Sequence, residues 1–143
     1  LVRVILQEIG AYSPRAELAT LMIIAHESGG GKYRRQIGGG PARGLGQMEP
    51  PTFDSVIKFG EKAGQYLRRA GYDPRRVTCA DLETDDKLAI VMIRARLAMD
   101  PAQLPETPAA MAHYLKSFWN GPGKATPEKY LSDLEAWKNA RFN

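Results

Sequence analysis

Ser13-Pro14-Arg15-Ala16-Glu17-Leu18-Ala19-Thr20-Leu21-Met22-Ile23-Ile24-Ala25-His26-Glu27-Ser28-Gly29 is the most strongly patterned stretch of this 143-residue chain. A hydroxyl residue followed by proline is a helix start: Ser13 can satisfy a free amide of the first turn, and Pro14 at the first helical position loses no useful donor. Leu18, Leu21, Met22 and Ala25 then recur at i, i+3, i+4 and i+7, the spacing of one helical face. The same start occurs at Thr107-Pro108 and Thr126-Pro127. Thr52 is placed to cap a helix carrying Phe53, Val56 and Ile57. Tyr66, Leu67 and Ala70 continue or restart it, before Gly71-Tyr72-Asp73-Pro74 breaks it. Thr84-Asp85-Asp86 puts a cap and two acids at an amino end, where the helix dipole favours them. Leu88 to Ile93 is apolar nearly all round, the mark of a buried central helix. The last helix is expected from Pro127 to about Asn139, with Tyr130, Leu131, Leu134 and Trp137 on one face. Strand signals are poor, and the chain reads as one mostly α domain over residues 1–143.

Composition narrows the class. Hydrophobic residues make up 43% of the chain and charged residues 25%, which excludes global disorder. A single cysteine, Cys79, excludes an intramolecular disulfide and any multi-cysteine zinc site. No run approaches about 18 apolar residues, so no membrane insertion is expected. Leu1 to Ile9, broken by Arg3, Gln7 and Glu8, does not read as a signal peptide. The net charge of +4 suits a polyanionic partner, whether nucleic acid, an anionic wall or a membrane surface, and selects none of them. No helix carries the Arg/Lys cluster of a nucleic-acid reader, so no nucleic-acid partner is expected.

Several chemistries fail on spacing. His26-Glu27 lacks the second histidine of a helical zinc motif, because position 30 is Gly30. Gly31-Lys32 is followed by Tyr33 where a phosphate loop needs Ser or Thr. No Gly-x-Ser-x-Gly is present. The expectation is therefore no metal and no cofactor. His26, His113 and Trp137 read as packing or surface residues.

Between Ser28 and Glu49 the helical period stops. Eight of the 14 glycines fall there, with Lys32, Arg34, Arg35 and Arg43 and no acid. A long Gly-rich basic loop in a helical domain is usually functional or disordered. A short hairpin around Tyr33 to Ile37 fits the pattern, and the positive charge suits an anionic wall polymer. Glu27 stands just before this loop, at the end of the most apolar run, Leu21 to Ala25. Apolar neighbours and the negative helix end both push such a carboxyl toward its neutral form. A carboxylic acid still protonated near neutral pH is what glycosidic cleavage requires. An exposed glutamate at a helix end is the alternative from position alone.

Glu27-Ser28-Gly29 is followed across the loop by Ala42-Arg43-Gly44-Leu45-Gly46-Gln47-Met48-Glu49-Pro50-Pro51-Thr52, with Gln47 20 positions after Glu27. Further on stands Phe118-Trp119-Asn120-Gly121-Pro122-Gly123. In order and type these segments resemble the soluble lytic transglycosylase family of the lysozyme-like superfamily, over about Leu18 to Tyr130. The resemblance implies a lysozyme-like domain whose Gly-rich loop or short hairpin lines the cleft. It implies cleavage of the β-1,4 bond between N-acetylmuramic acid and N-acetylglucosamine in peptidoglycan glycan strands, with a 1,6-anhydro product. The site of action would be the bacterial cell wall, reached as a periplasmic or extracellular enzyme or in a bacteriophage virion. The domain would act as a monomer, free-standing like an endolysin or within a larger protein.

Carried across, the resemblance makes Glu27 the catalytic acid/base. Ser28 and Gln47 would hold the N-acetyl sugar, Gly44 and Leu45 would build the turn and wall beneath it, and Asn120 would line the cleft opposite. Trp119 stands where the family has a tyrosine touching the glutamate and could stack on a sugar in the cleft, with Tyr114 as a further substrate-binding residue; Tyr33, Tyr114 and Tyr130 are the candidates to replace the tyrosine contact. Gly46, commonly Met in the family, would open the pocket floor. Glu49 stands where an apolar residue is usual and is a candidate second carboxylate, which would favour a lysozyme-type hydrolase acting on the same bond. A non-catalytic wall-binding or virion module on the same fold is the other alternative.

Overall fold

The computed structural model describes residues 1–121 and 123–140, with the backbone of 141–142. Among these residues the chain is mostly helical: α1 (Val2–Glu8), α2 (Pro14–Ser28), α3 (Pro50–Phe59), α4 (Ala63–Arg69), a 3₁₀ turn (Cys79–Glu83), α5 (Asp86–Leu97), α6 (Pro108–Leu115) running into a π-turn (Lys116–Asn120), and α7 (Pro127–Phe142). The hydroxyl–proline pairs start helices as expected. Ser13 Oγ accepts the Ala16 amide at 3.0 Å, Thr107 Oγ1 that of Ala110 at 3.2 Å, and Thr126 Oγ1 that of Lys129 at 3.1 Å.

Two other starts differ from expectation. α3 begins at Pro50, with Glu49 and not Thr52 before its first turn. Pro50 and Pro51 hold φ at helical values and have no amides to leave unsatisfied, so the helix starts on them. At α5 the cap is Asp85, whose carboxylate accepts the Leu88 amide at 3.0 Å, while Thr84 ends the preceding 3₁₀ turn.

α5 is the central helix. Leu88 to Ile93, Ala95 and Leu97 are all buried, and α1, α2, α3, α4 and the 3₁₀ turn pack around it. α2 touches α5 and is also packed on α6 and α7, which brings its carboxyl end between α5 and α7. His26 in its last turn stacks on Tyr130 of α7 at 4.1 Å between ring centres, and its Nδ1 lies 2.8 Å from Asp133 Oδ2. Trp137 is half-buried and lies against Gly30, where a side chain would collide with the indole. His113 is exposed. No helix among the described residues is long and apolar enough to cross a membrane.

The segment between α2 and α3 contains no strand; the expected hairpin reduces to isolated antiparallel bridges, Arg35 with Arg43 and Arg43 with Met48. Gly38 and Gly39 have φ of 89° and 87°, a left-handed turn that stops a ladder from growing. The arginines of this loop face inward partners and not solvent alone. Arg34 forms a bidentate pair with Asp86 at 2.8 Å for both bonds and also donates to the Gly31 carbonyl at 2.6 Å. Arg35 pairs with Glu83 at 3.0 Å, and Arg43 reaches the same carboxylate at 3.9 Å. These pairs pin the loop to the 3₁₀ turn and to α5, and the carboxylates of Asp86 and Glu83 offset part of its positive charge.

Gly44 is where that loop closes on the backbone of another element. Its φ is +81°, and a Cβ there would lie 2.7 Å from the Leu82 carbonyl oxygen. Gly44→Ala is expected to destabilise the fold by about 1–3 kcal/mol. Urea unfolding measures this, and an unchanged midpoint would contradict the tight approach.

Candidate active site

Glu27 lies in the last turn of α2, one turn after Ile23 and Ile24, both buried. Burial pushes its carboxyl up to about 7 from an ordinary 4.5, and the positive charge of Arg96 on α5 partly opposes the rise. Among the described residues no hydrogen bond or ion pair engages the carboxyl. With a pKa near 7 the group is shared between its protonated and ionised forms at neutral pH, and its proton is not committed to a protein acceptor.

The carboxyl opens into a pocket of ≈ 270 Å³ that it shares with Tyr33, Gln36, Ile37, Ala42, Gln47 and Glu49. Gln47 is held unusually firmly. Its φ is +45°, a left-handed value that a non-glycine residue adopts only under constraint. Its amide Nε2 donates to the Tyr33 and Gly44 carbonyls, both at 3.0 Å. With both amide hydrogens so used, the group left to offer the pocket is the amide oxygen. Glu49, which also lines the pocket, is exposed just before α3. A larger depression of ≈ 690 Å³ lies elsewhere, but its carboxylates are engaged: Glu106 with Arg15 at 3.5 Å, and Asp100 with the Tyr114 hydroxyl at 3.0 Å.

The other expected site residues are placed differently. Ser28 is fully buried, donating to the Ile24 carbonyl at 3.1 Å and accepting the Gly31 amide at 3.0 Å. It ties the helix end to the loop and has no surface left for a sugar. Gly44 makes the turn as expected, its carbonyl accepting the Gln47 amide at 3.1 Å. Leu45 is buried in the core beneath the loop. Gly46 does not open a pocket floor, since a Cβ there would lie 2.8 Å from Ile93 Cγ1 and 3.7 Å from the Trp119 ring. Those two side chains fill the space that a methionine would take. Trp119 is accordingly a buried residue, 7% exposed, and not an open stacking surface. Asn120 accepts the Lys116 ammonium at 3.0 Å, and its side chain is outside the Glu27 pocket. Tyr114 bonds Asp100 and stacks on Phe118 with ring centres 5.5 Å apart. Pro122 lies outside the described residues.

Two further groups near Glu27 come from other helices. Arg96 lays its guanidinium over the Trp119 ring at 4.0 Å and donates to the Trp119 carbonyl at 3.0 Å. Burial pulls its pKa down, and the Glu27 charge opposes that. Tyr130 on α7 is fully buried, and its hydroxyl has no hydrogen-bond partner among the described residues. Burial raises its pKa, and the charge of Glu27 raises it further. Of the three candidate tyrosines, Tyr130 is the one whose hydroxyl senses the Glu27 charge, while Tyr33 lines the pocket and Tyr114 is engaged elsewhere. The sequence hint was slight: a lone arginine in a helix that is otherwise apolar on that side, and a tyrosine on an apolar face.

The chain matches no protein-family model, no curated protein and no solved structure. Among the described residues, no three of His, Cys, Asp and Glu gather as a metal site would require.

The raised carboxyl has a thermodynamic signature. Between about pH 4.5 and 7 the folded chain keeps a proton on Glu27 that the unfolded chain has lost. Stability must therefore fall as pH rises through that window, by up to about 3 kcal/mol. Glu27→Gln should remove this slope and leave the variant more stable than wild type at pH 8. Unfolding curves at pH 5 to 8 measure it; parallel pH profiles for the two proteins would contradict the raised pKa.

Proposed function

We propose that the chain is a lysozyme-like domain that cleaves the β-1,4 bond between N-acetylmuramic acid and N-acetylglucosamine in peptidoglycan, as a lytic transglycosylase. The observation that carries this reading is a carboxyl at Glu27, raised by burial to about 7, beside a pocket shared with Gln47. The order of the three sequence segments supports it. In this reading the Gly-rich loop is one wall of the cleft, and the partner is the glycan strand at the bacterial cell wall.

The chemistry follows from one acid. Glu27 gives its proton to the glycosidic oxygen as the bond to the anomeric carbon breaks. The oxygen of the substrate's own N-acetyl group takes up the positive charge at that carbon. Glu27, now a carboxylate, removes the proton from the C6 hydroxyl, whose oxygen closes the 1,6-anhydro ring and displaces the N-acetyl oxygen. Glu27 ends protonated. While it is ionised, the positive charge of Arg96 stabilises it. The locked amide of Gln47 presents an acceptor for the N-acetyl N–H. No step calls for a metal or cofactor.

A lysozyme-type hydrolase is the second reading, and Glu49 on the lip of the same pocket is the observation that favours it. Two carboxyl groups with room for a water between them support inverting hydrolysis.

Mass spectrometry of digested peptidoglycan separates the two, because an anhydro product is lighter than a hydrolysed one by one water. Wild type is expected to give anhydro ends, with activity falling above about pH 7 as Glu27 ionises. Glu27→Gln is expected to cost about 10²–10⁴-fold in rate with the fold intact, and Glu49→Gln less than about tenfold. Reducing ends, together with a large loss in Glu49→Gln, would establish the hydrolase. Wall binding without any product would leave only a binding module.

A further inference from the structure

Beside the Glu27 pocket lies a second depression, of ≈ 520 Å³, lined by Pro51, Thr52, Ser55, Arg96, Met99 and Phe118. The two adjoin at the start of α3, where Glu49 lines one and Pro51 the other. Arg96 is their common charge, since it lines the second pocket and its field reaches the carboxyl in the first.

Arg96, like Arg68, Arg69 and Arg94, forms no ion pair among the described residues. Arg3, Arg15, Arg34, Arg35, Arg43, Arg75 and Arg76 each have a carboxylate within 4.0 Å. Arg96 is half-buried, and no carboxylate lies within that distance of it among the described residues. Its plane is fixed by the Trp119 ring beneath it and by the bond from one Nη2 hydrogen to the Trp119 carbonyl. A guanidinium has five N–H donors in a rigid fork, so most of the fork is unclaimed. Two hydroxyl donors, Thr52 and Ser55, line the same depression. A partly desolvated cation with a fixed plane and free donors is suited to a carboxylate, which such a fork binds in bidentate fashion.

We propose that Arg96, with the hydroxyls of Thr52 and Ser55, forms an anion subsite that takes a carboxylate of the substrate next to the bond that Glu27 protonates. Naming that carboxylate rests on the peptidoglycan reading; the anion site itself does not. A muramyl strand offers two sources, the lactyl group when it carries no peptide and the peptide's own carboxylates when it does. A polymer of N-acetylglucosamine alone offers neither. Filling the subsite therefore discriminates muramyl strands from neutral ones.

The test needs no turnover. The chain has two tryptophans; in the Trp137→Phe background, Trp119, directly beneath Arg96, reports occupancy by fluorescence. N-acetylmuramic acid is titrated against its methyl ester, and lactate against lactamide. Each acid is expected to bind at least about tenfold more tightly than its neutral partner, and Arg96→Gln to abolish the difference. Calorimetry on the unmodified chain repeats the acid–neutral comparison without any substitution. Thr52→Val combined with Ser55→Ala, at positions outside the core, should weaken the acids severalfold and leave the neutral ligands unchanged. Peptide-free and peptide-bearing strands then distinguish the lactyl from the peptide carboxylate, and preference for either supports the subsite. Equal binding of acids and neutral partners, or a preference that survives Arg96→Gln, would overturn it. If wall digestion yields products while acids and neutral partners bind alike, the subsite falls and the enzymatic reading stands. If lactate outbinds lactamide while no product forms, the reverse holds.

Discussion

Removing one carboxyl group from water is the constraint around which the rest of this molecule is arranged. Glu27 cannot be solvated like a surface glutamate, because α2 delivers it into the seam between α5 and α7, with buried Ile23 and Ile24 one turn before it. Burial alone would raise the group's pKa further. Arg96 limits that, sitting close enough for its charge to pull the pKa back toward neutrality and yet making no ion pair with it. The resulting balance, a carboxyl near 7, is the range in which a group can both give and take a proton near neutral pH.

Much of the remaining architecture holds that balance in place. Trp119 supports the Arg96 guanidinium from below, and the lack of a side chain at Gly46 is what allows the indole and Ile93 to occupy that space. The loop that faces Glu27 is long and rich in glycine, yet it is fastened at several points. Ser28 ties its start to α2, and Arg34 and Arg35 tie its middle to Asp86 and Glu83. Gln47 completes the arrangement with a strained backbone and a doubly bonded amide. Such fixed donors and acceptors need no reorganisation when a substrate arrives, which is the usual physical basis of a preorganised site.

The readable parts of the sequence were the local ones. Ser13, Thr107 and Thr126 cap helices through bonds that span three residues, so the pattern and the cause lie in the same few letters. The burial of α5 was legible because its apolar residues run nearly all round. The position of Glu27 at the end of an apolar run was legible for the same reason. Of its partners, Tyr130 is one of three candidate tyrosines in the sequence, while Arg96 is not legible there, since only packing brings it near. Trp119 shows the limit most clearly. Its motif position suggested an open face in the cleft, but the space left by Gly46 draws it inward, and that complementarity exists only in three dimensions. Ser28 was misjudged although its cause is local, because a hydroxyl at a helix end commonly bonds back to the carbonyl four residues earlier, as this one does to Ile24.

The most direct measurement is the titration of the Glu27 carboxyl itself. Carbon-13 NMR of protein labelled at the glutamate side-chain carboxyl, with the resonance assigned by its loss in Glu27→Gln, follows its ionisation without any substrate. The account predicts a midpoint near 7; a midpoint near 4.5, the value of a solvated glutamate, would contradict it.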